Sequence, residues 1–258
     1  INDRAFSACS SLVRITIPQS VKSLGSYCFF ACIKLKEVSV TSLKTVNSNT
    51  FEGCISLQKF IIPYPSDEIQ KYAFSKCYSL KIMSIPESVT SIGYSSFNCC
   101  TSLVKLTIPS SVTSICPYAF EGCTSLASMS IPSKVTLIGS YAFCGCTSLT
   151  ELIVPSSVIE IGQFAFKRCL KLTELTFEPH IIKIEDGLFK GCTALKSISI
   201  PNSVTEIGED AFQLCVNLQD LDIPSNLTII GQSAFYGCVK IKKIKIPRST
   251  KEIGKDAF

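Results

Sequence analysis

Fifteen cysteines and one histidine are the side chains of this 258-residue chain best suited to nucleophilic or metal chemistry. A thiol can attack a carbonyl when a base accepts its proton, can hold zinc as the thiolate, or can pair in a disulfide. His180 is the only imidazole, it lies in an irregular Glu178-Pro179-His180 segment, and no nucleophile signature accompanies it. It reads as a solvent-facing loop residue. Zinc sites draw on closely set ligand pairs that converge on a tetrahedron. The chain has no Cys-x-x-Cys, and its nearest approaches are Cys28 with Cys32, Cys99 with Cys100, and Cys144 with Cys146. Neither glycine-rich phosphate-binding pattern is present. These residues predict no catalytic group, no metal site and no cofactor, in a protein that is not an enzyme.

What positions the cysteines is a repeat. Eleven of them, Cys9, Cys32, Cys54, Cys77, Cys100, Cys123, Cys146, Cys169, Cys192, Cys215 and Cys238, each follow a phenylalanine by three residues. Those phenylalanines, from Phe6 to Phe258, are 23 residues apart except for the 22 between Phe29 and Phe51. Leucine follows at six residues (Ile241 is the exception), apolar residues at nine and eleven, and proline at twelve in nine units. The unit reads L-x-x-L-x-I-P-x-S-V-T-x-I-G-x-x-A-F-x-G-C-T-S. It runs without linker or composition shift, which predicts one domain over residues 1–258 with about eleven repeats. The chain starts without Met and stops at Phe258 inside a unit, so it reads as a fragment of something longer, with room for targeting or anchoring segments outside it.

Leu-x-x-Leu-x-Ile places apolar residues two apart, on one face of a strand, and the proline beyond removes a donor and ends it. Ala-Phe-x-x-Cys is too short for an α-helix and predicts a 3-10 turn. A lone unit cannot bury its apolar face, so units must stack and share a core. The expected fold is a right-handed curved solenoid. Eleven strands form one parallel β-sheet on its concave side, and short return strands and 3-10 turns lie on its convex side. Irregular loops are expected at Val40 to Phe51, at Tyr64 to Glu68 and at Glu178 to His180, where the unit's residues change.

This unit resembles the leucine-rich repeats, and most closely the BspA-like class with 23-residue repeats. Ile108 to Leu126, IPSSVTSICPYAFEGCTSL, matches that pattern almost position by position, and the resemblance covers the whole chain. It implies a leucine-rich-repeat solenoid without shared catalytic residues. Proteins with similar repeats occur on the surfaces of host-associated bacteria and parasitic protists, where they are linked with adhesion to host matrix proteins and cells.

Stacked in register, the eleven cysteines form a ladder about 4.8 Å apart. Buried free thiols are expected there, because in-register neighbours have parallel Cβ vectors where a disulfide needs convergent ones. The four other cysteines, Cys28, Cys99, Cys116 and Cys144, are expected to be the more accessible. Residues eight and ten after each phenylalanine alternate with core positions and face outward on the concave side. Among them are Arg14, Glu37, Lys59, Lys105, Glu151, Glu174, Asp220 and Asp222, and Lys242, Lys243 and Lys245 add a basic run in the last unit. This is the candidate protein-binding face.

At 17% charged residues and a net charge of +5, the chain is not a disordered acidic or basic segment. Its positive charge is local and is not interleaved with aromatics, so no nucleic acid is expected as partner. The longest apolar run, Cys28 to Ile33, is too short to span a membrane, and no signal-peptide layout opens the chain. Two readings stay open. The resemblance implies a cell-surface or extracellular adhesion module for a host matrix or cell-surface protein. Cysteines with no evident pairing speak for a cytoplasmic scaffold or filament-associated protein on a cytoskeletal assembly.

Overall fold

The computed structural model describes residues 1–258 and is a parallel β-solenoid of about ten turns without a helix. A coil is taken as the stretch from one marker phenylalanine to the next, which numbers them from one (Phe6 to Phe29) to eleven (Phe235 to Phe258). The Leu-x-x-Leu-x-Ile stretches form strands at Arg14–Thr16, Glu37–Ser39, Lys59–Ile61, Ile82–Ser84, Ser128–Ser130, Glu151–Val154, Glu174–Phe177, Ser197–Ser199 and Asp220–Asp222. Their alternation is the one the sequence implies: Phe60 is buried between exposed Lys59 and Ile61. Across the coil lie two-residue return strands, such as Ser114–Ile115 and Leu137–Ile138, also paired in parallel.

The strands do not form one sheet of eleven. They form sheets of four, three and two, coil five contributes only a bridge from Lys105 to Ser128, and coil eleven has no strand. Such short strands, each closed by proline or an equivalent stop, hold few hydrogen bonds per pair. Small shifts between coils break the pairing, and the solenoid tolerates this because its register is held elsewhere.

It is held by the turns around the phenylalanines. In every coil the residues two before and two after the phenylalanine have positive φ, as at Tyr118 (58°) and Gly122 (69°). This inverts alternate peptide planes. The N–H groups of Ala119, Glu121 and Cys123 bond back three residues within their own coil, while those of Tyr118, Phe120 and Gly122 donate to Ser140, Ala142 and Cys144 of the next. A 3-10 helix would turn every N–H along its own axis, so the expected 3-10 turn is replaced by a parallel stack of β-turns. The link from each phenylalanine N–H to the next coil is present in all eleven intervals, from Phe6 to Cys28 through Phe235 to Ala257. Gly145 adopts its φ of 74° without strain, whereas Lys76, Cys99, Arg168 and Leu214 do so as L-residues, at roughly 1–2 kcal/mol each. The glycine of Ile-Gly has a different reason: a Cβ at Gly139 would overlap the backbone nitrogen of Pro117 in the coil below.

The interior is one apolar cluster of 70 buried residues. Its spine is the phenylalanine column, Phe6 to Phe258, with ring centroids 5.2–5.8 Å apart and neighbouring planes within 17° of parallel.

The three irregular segments fall where the unit's residues change. The 22-residue coil absorbs its missing residue between strand and return, since Glu37 still faces Lys59 while Val46 bridges Ile69. In coil three, Ser66 takes the place of the buried valine, and its hydroxyl lies 2.7 Å from the carbonyls of both Leu43 and Pro63, between which its one hydrogen is shared. In coil eight, Glu185 stands where the close-approach glycine is expected. Return strands Glu160–Ile161 and Lys183–Ile184 fall into separate sheets there. Lys183 answers with an ion pair to Glu206 of the next coil at 2.8 Å.

Truncating Phe143 to Ala removes a fully buried ring from mid-stack and is expected to cost about 3–5 kcal/mol in denaturant unfolding. Phe258→Ala, at a ring already 51% exposed, should cost far less; equal losses would overturn nearest-neighbour stacking. Ser96 occupies the small-residue position before the phenylalanine, where its hydroxyl is buried with no hydrogen-bond partner. Ser96→Ala, the residue most coils carry there, is expected to raise stability by roughly 1 kcal/mol, read as an increase in Tm.

Candidate binding face

Alternation along the strands sets the chemistry of the outer surface, because whatever stands between two core residues must face water. All eleven sequence-identified face residues are exposed: Arg14, Glu37, Lys59, Lys105, Glu151, Glu174, Asp220, Asp222, Lys242, Lys243 and Lys245. The structure does not draw them into one pocket. They lie along the solenoid, and shallow depressions cross them, one lined by Lys105, Ser128, Ser130 and Glu151 and another by Arg14, Glu37, Lys59 and Ile61. Arg14 and Glu37 pair across neighbouring strands at 3.4 Å, and the other nine make no ion pair. Lys242, Lys243 and Lys245 occupy extended chain rather than a strand, since coil eleven lacks one.

The column cysteines have a shared role in the fold. Cys32, Cys54, Cys77 and every later member donate S–H to the carbonyl of the preceding coil's phenylalanine, for example Cys123 to Phe97 at 3.2 Å. That carbonyl also accepts the N–H of the cysteine in its own coil, as Cys100 to Phe97 at 3.1 Å. Cys9 is the exception, exposed because no coil lies beneath it. The expectation for Cys28 is corrected: it is fully buried, since it fills the small-residue position before Phe29 where most coils have alanine. Cys99, Cys116 and Cys144 are half-buried. All fifteen thiols are free, and no group of three or more Cys, His, Asp or Glu is placed to hold a metal ion. Burial pushes Cys32 and Cys238, near the two ends of the column, up to about 11 from an ordinary 9.0, and lifts Cys54, Cys100, Cys192 and Cys215 well above it. His180 is exposed and its Nδ1 lies 2.6 Å from the carbonyl of Ser156, where other coils place a serine hydroxyl on a neighbouring carbonyl.

Two surface features escaped the sequence reading. Tyr72, Tyr94, Tyr118, Tyr141 and Phe164 form a row along the turn face with centroids 4.9–5.4 Å apart, edge-on or tilted from Tyr72 to Tyr118 and stacked from Tyr118 to Phe164, and Lys167 sits over Phe164 at 5.1 Å. The signal for it was Tyr-Ala-Phe at three coils and Phe164-Ala165-Phe166 at a fourth. The other is a run of exposed apolar residues, Ile33, Ile55 and Tyr78, four residues after the phenylalanines.

A family model described as a BspA type leucine rich repeat region matches in six copies, over spans that include residues 1–127, 44–172 and 113–238. The chain belongs to that family. Among solved structures, a leucine-rich repeat protein from Bacteroides ovatus is 26% identical with a TM-score of 0.77, covering 100% of this chain and 79% of its own. A leucine rich cell surface protein from Faecalibacterium prausnitzii is 30% identical with a TM-score of 0.55, covering 99% of this chain and 82% of its own. A leucine rich repeat protein from T. pallidum is 30% identical with a TM-score of 0.56, covering 72% of this chain and 78% of its own. No curated protein matches. BspA-type repeats are generally non-catalytic, and the leucine-rich-repeat fold is a protein-interaction scaffold. No helix of the structure is long and apolar enough to cross a membrane.

The repeat's thiols make its alkaline stability a test of this arrangement. The unfolded chain releases thiol protons near pH 9, whereas the folded chain holds them to higher pH. Stability is therefore full below about 9 and is lost as pH rises toward the folded values, by up to about 1.4 kcal/mol per pH unit for each buried thiol. Circular dichroism and thiolate absorbance should change together and steeply above pH 9. Thiolate appearing at the buried column cysteines in a chain that stays folded would contradict it. At neutral pH, thiol reagents should modify Cys9 first, Cys99, Cys116 and Cys144 slowly, and the column only after denaturation.

Proposed function

We propose that this chain is a non-catalytic protein-binding module of a cell-surface adhesion protein, whose strand face docks a host matrix or cell-surface protein. The observation that carries the reading is the nine charged side chains of that face with no ion-pair partner in the fold. Charges that do no work within a coil are free to meet charges on another protein, where complementarity governs encounter rate and specificity more than raw affinity. The similarity to a bacterial leucine rich cell surface protein supports display at a surface. Fifteen free thiols favour a second reading, a cytoplasmic scaffold on a cytoskeletal assembly. Burial weakens that argument, because a fully covered thiol with a raised pKa resists oxidation outside the cell as well.

In intact, non-permeabilised cells a surface protease should remove the protein, and protection until permeabilisation would favour the scaffold. Reversing Asp220 and Asp222 to Lys should change capture of a partner isolated by pull-down while leaving Tm within about a degree, since both side chains point to solvent. Unchanged binding in that variant, with loss on substitution near His180, would move recognition from the strand face to the loops.

A further inference from the structure

The position four residues after the phenylalanine is threonine in coils five, six, seven and nine. There the hydroxyl donates to the carbonyl of the preceding coil: Thr101 to Tyr78, Thr124 to Thr101, Thr147 to Thr124 and Thr193 to Leu170, at 3.2–3.4 Å. Six coils carry an apolar residue there and give up this bond: coils eight, ten and eleven, with Leu170, Val216 and Val239, and the consecutive coils two, three and four, whose Ile33, Ile55 and Tyr78 are exposed by 41%, 39% and 43%. The strands that follow in coils three and four also turn isoleucines outward, Ile61 and Ile82, each more than half exposed, as coil seven does with Ile153 at 50%. An exchange of hydrogen bonds for exposed apolar surface, continued through three consecutive coils, has no benefit within the fold.

The charge beside these residues has one sign. From the fourth to the tenth residue after the phenylalanine, coils two to five contain Lys34, Lys36, Lys59, Lys81 and Lys105, against a single carboxylate, Glu37, which Arg14 already pairs. Coils seven to ten carry Glu151, Glu174, Asp220 and Asp222 over the same columns, against Lys171 and Lys196.

We propose that the strand-side edge of coils two to five is the docking site for an extended protein segment that is acidic and carries apolar side chains. Apolar anchors meet the Ile55–Tyr78 column and the diagonal pair Ile61 and Ile82, and carboxylates meet the neighbouring lysines, among them Lys59 beside Ile82. The four coils span about 14 Å at about 4.8 Å per coil, the reach of roughly five extended residues. The proposal rests on the reading of the chain as a protein-binding module and names where and what it binds.

The test uses fluorescent ten-residue peptides with the whole 258-residue chain. One alternates Asp with Leu and Phe, a second replaces Asp by Lys, and a third keeps Asp but replaces Leu and Phe by Ser. The first should bind, and the other two at least tenfold more weakly. Ile55→Thr with Tyr78→Thr installs the residue that other coils use, so it keeps the fold; it should weaken the first peptide about tenfold without lowering Tm. Lys59→Glu with Lys81→Glu should do the same and flatten the salt dependence, while Lys242→Glu with Lys243→Glu should change nothing. No binding of the first peptide, equal binding of all three, or unchanged binding in the first two variants overturns the proposal. A concentration-dependent dimer in sedimentation that the Ile55 and Tyr78 variant dissolves also overturns it, by assigning the edge to a second copy. A natural partner captured equally by wild type and both edge variants would end this proposal while leaving the binding-module reading intact.

Discussion

The structure depends on one constraint: each coil must lie directly on the last with its backbone polar groups satisfied in two directions at once. Left-handed residues two before and two after every phenylalanine meet it by flipping alternate peptides, so that one set of N–H groups closes the turn and the other joins the next coil. Of 142 backbone hydrogen bonds only 14 lie within named strands, so the turns and loops carry most of the order. Buried backbone groups left unpaired cost more than most side-chain contacts return. The phenylalanine column follows from this, since rings fixed at equivalent positions on coils in contact have little choice but to stack.

Cysteine at the third place after phenylalanine follows from the same geometry. The phenylalanine carbonyl has one lone pair free after its own turn is closed, and it lies inside the core. Serine could donate to it but would bury a strongly polar group among Leu and Phe side chains; alanine would fill less space and leave the lone pair unused. A thiol is small, apolar and a weak donor. Its chemistry is then suppressed by burial, as the raised pKa values of the column record. A high cysteine content here is a packing solution, which is why it says little about compartment.

Most of the architecture was legible in the sequence because stacking repeats each requirement eleven times: the Phe, Cys and Leu columns, the alternating strands and the return segments were all visible as fixed offsets. What was not legible depended on φ or on a neighbouring coil. The left-handed positions hold Tyr, Arg, Asp, Ser and Lys as well as glycine, so residue type does not mark them, and the stretch was read as a 3-10 turn. Cys28 looks like one of the more accessible thiols by sequence because only alignment on the alanine before each phenylalanine reveals it as core. Broken strand pairing in coil five has no residue signature, because its Leu-x-x-Leu stretch matches the others; coil eleven departs from it with Ile241 and Ile244. The face residues were legible by alternation alone, and their exposure follows from it; which of them meet a partner was not, since solvated and partner-facing charges look alike in a sequence.

The same redundancy explains how recognition can vary on this scaffold. Phenylalanine, cysteine, leucine and the two left-handed positions are committed to stacking in every coil. Threonine four residues past the phenylalanine is a partial commitment, worth one exposed hydroxyl-to-carbonyl bond per coil, well under the value of a buried ring. Stability in a stack of this kind is close to a sum over neighbouring coils. Only four coils of eleven make that bond, so its loss in coils two to four leaves the fold nearly untouched. The apolar edge of coils two to four costs the solenoid little, so its persistence alongside five lysines is a matter of surface chemistry rather than of folding.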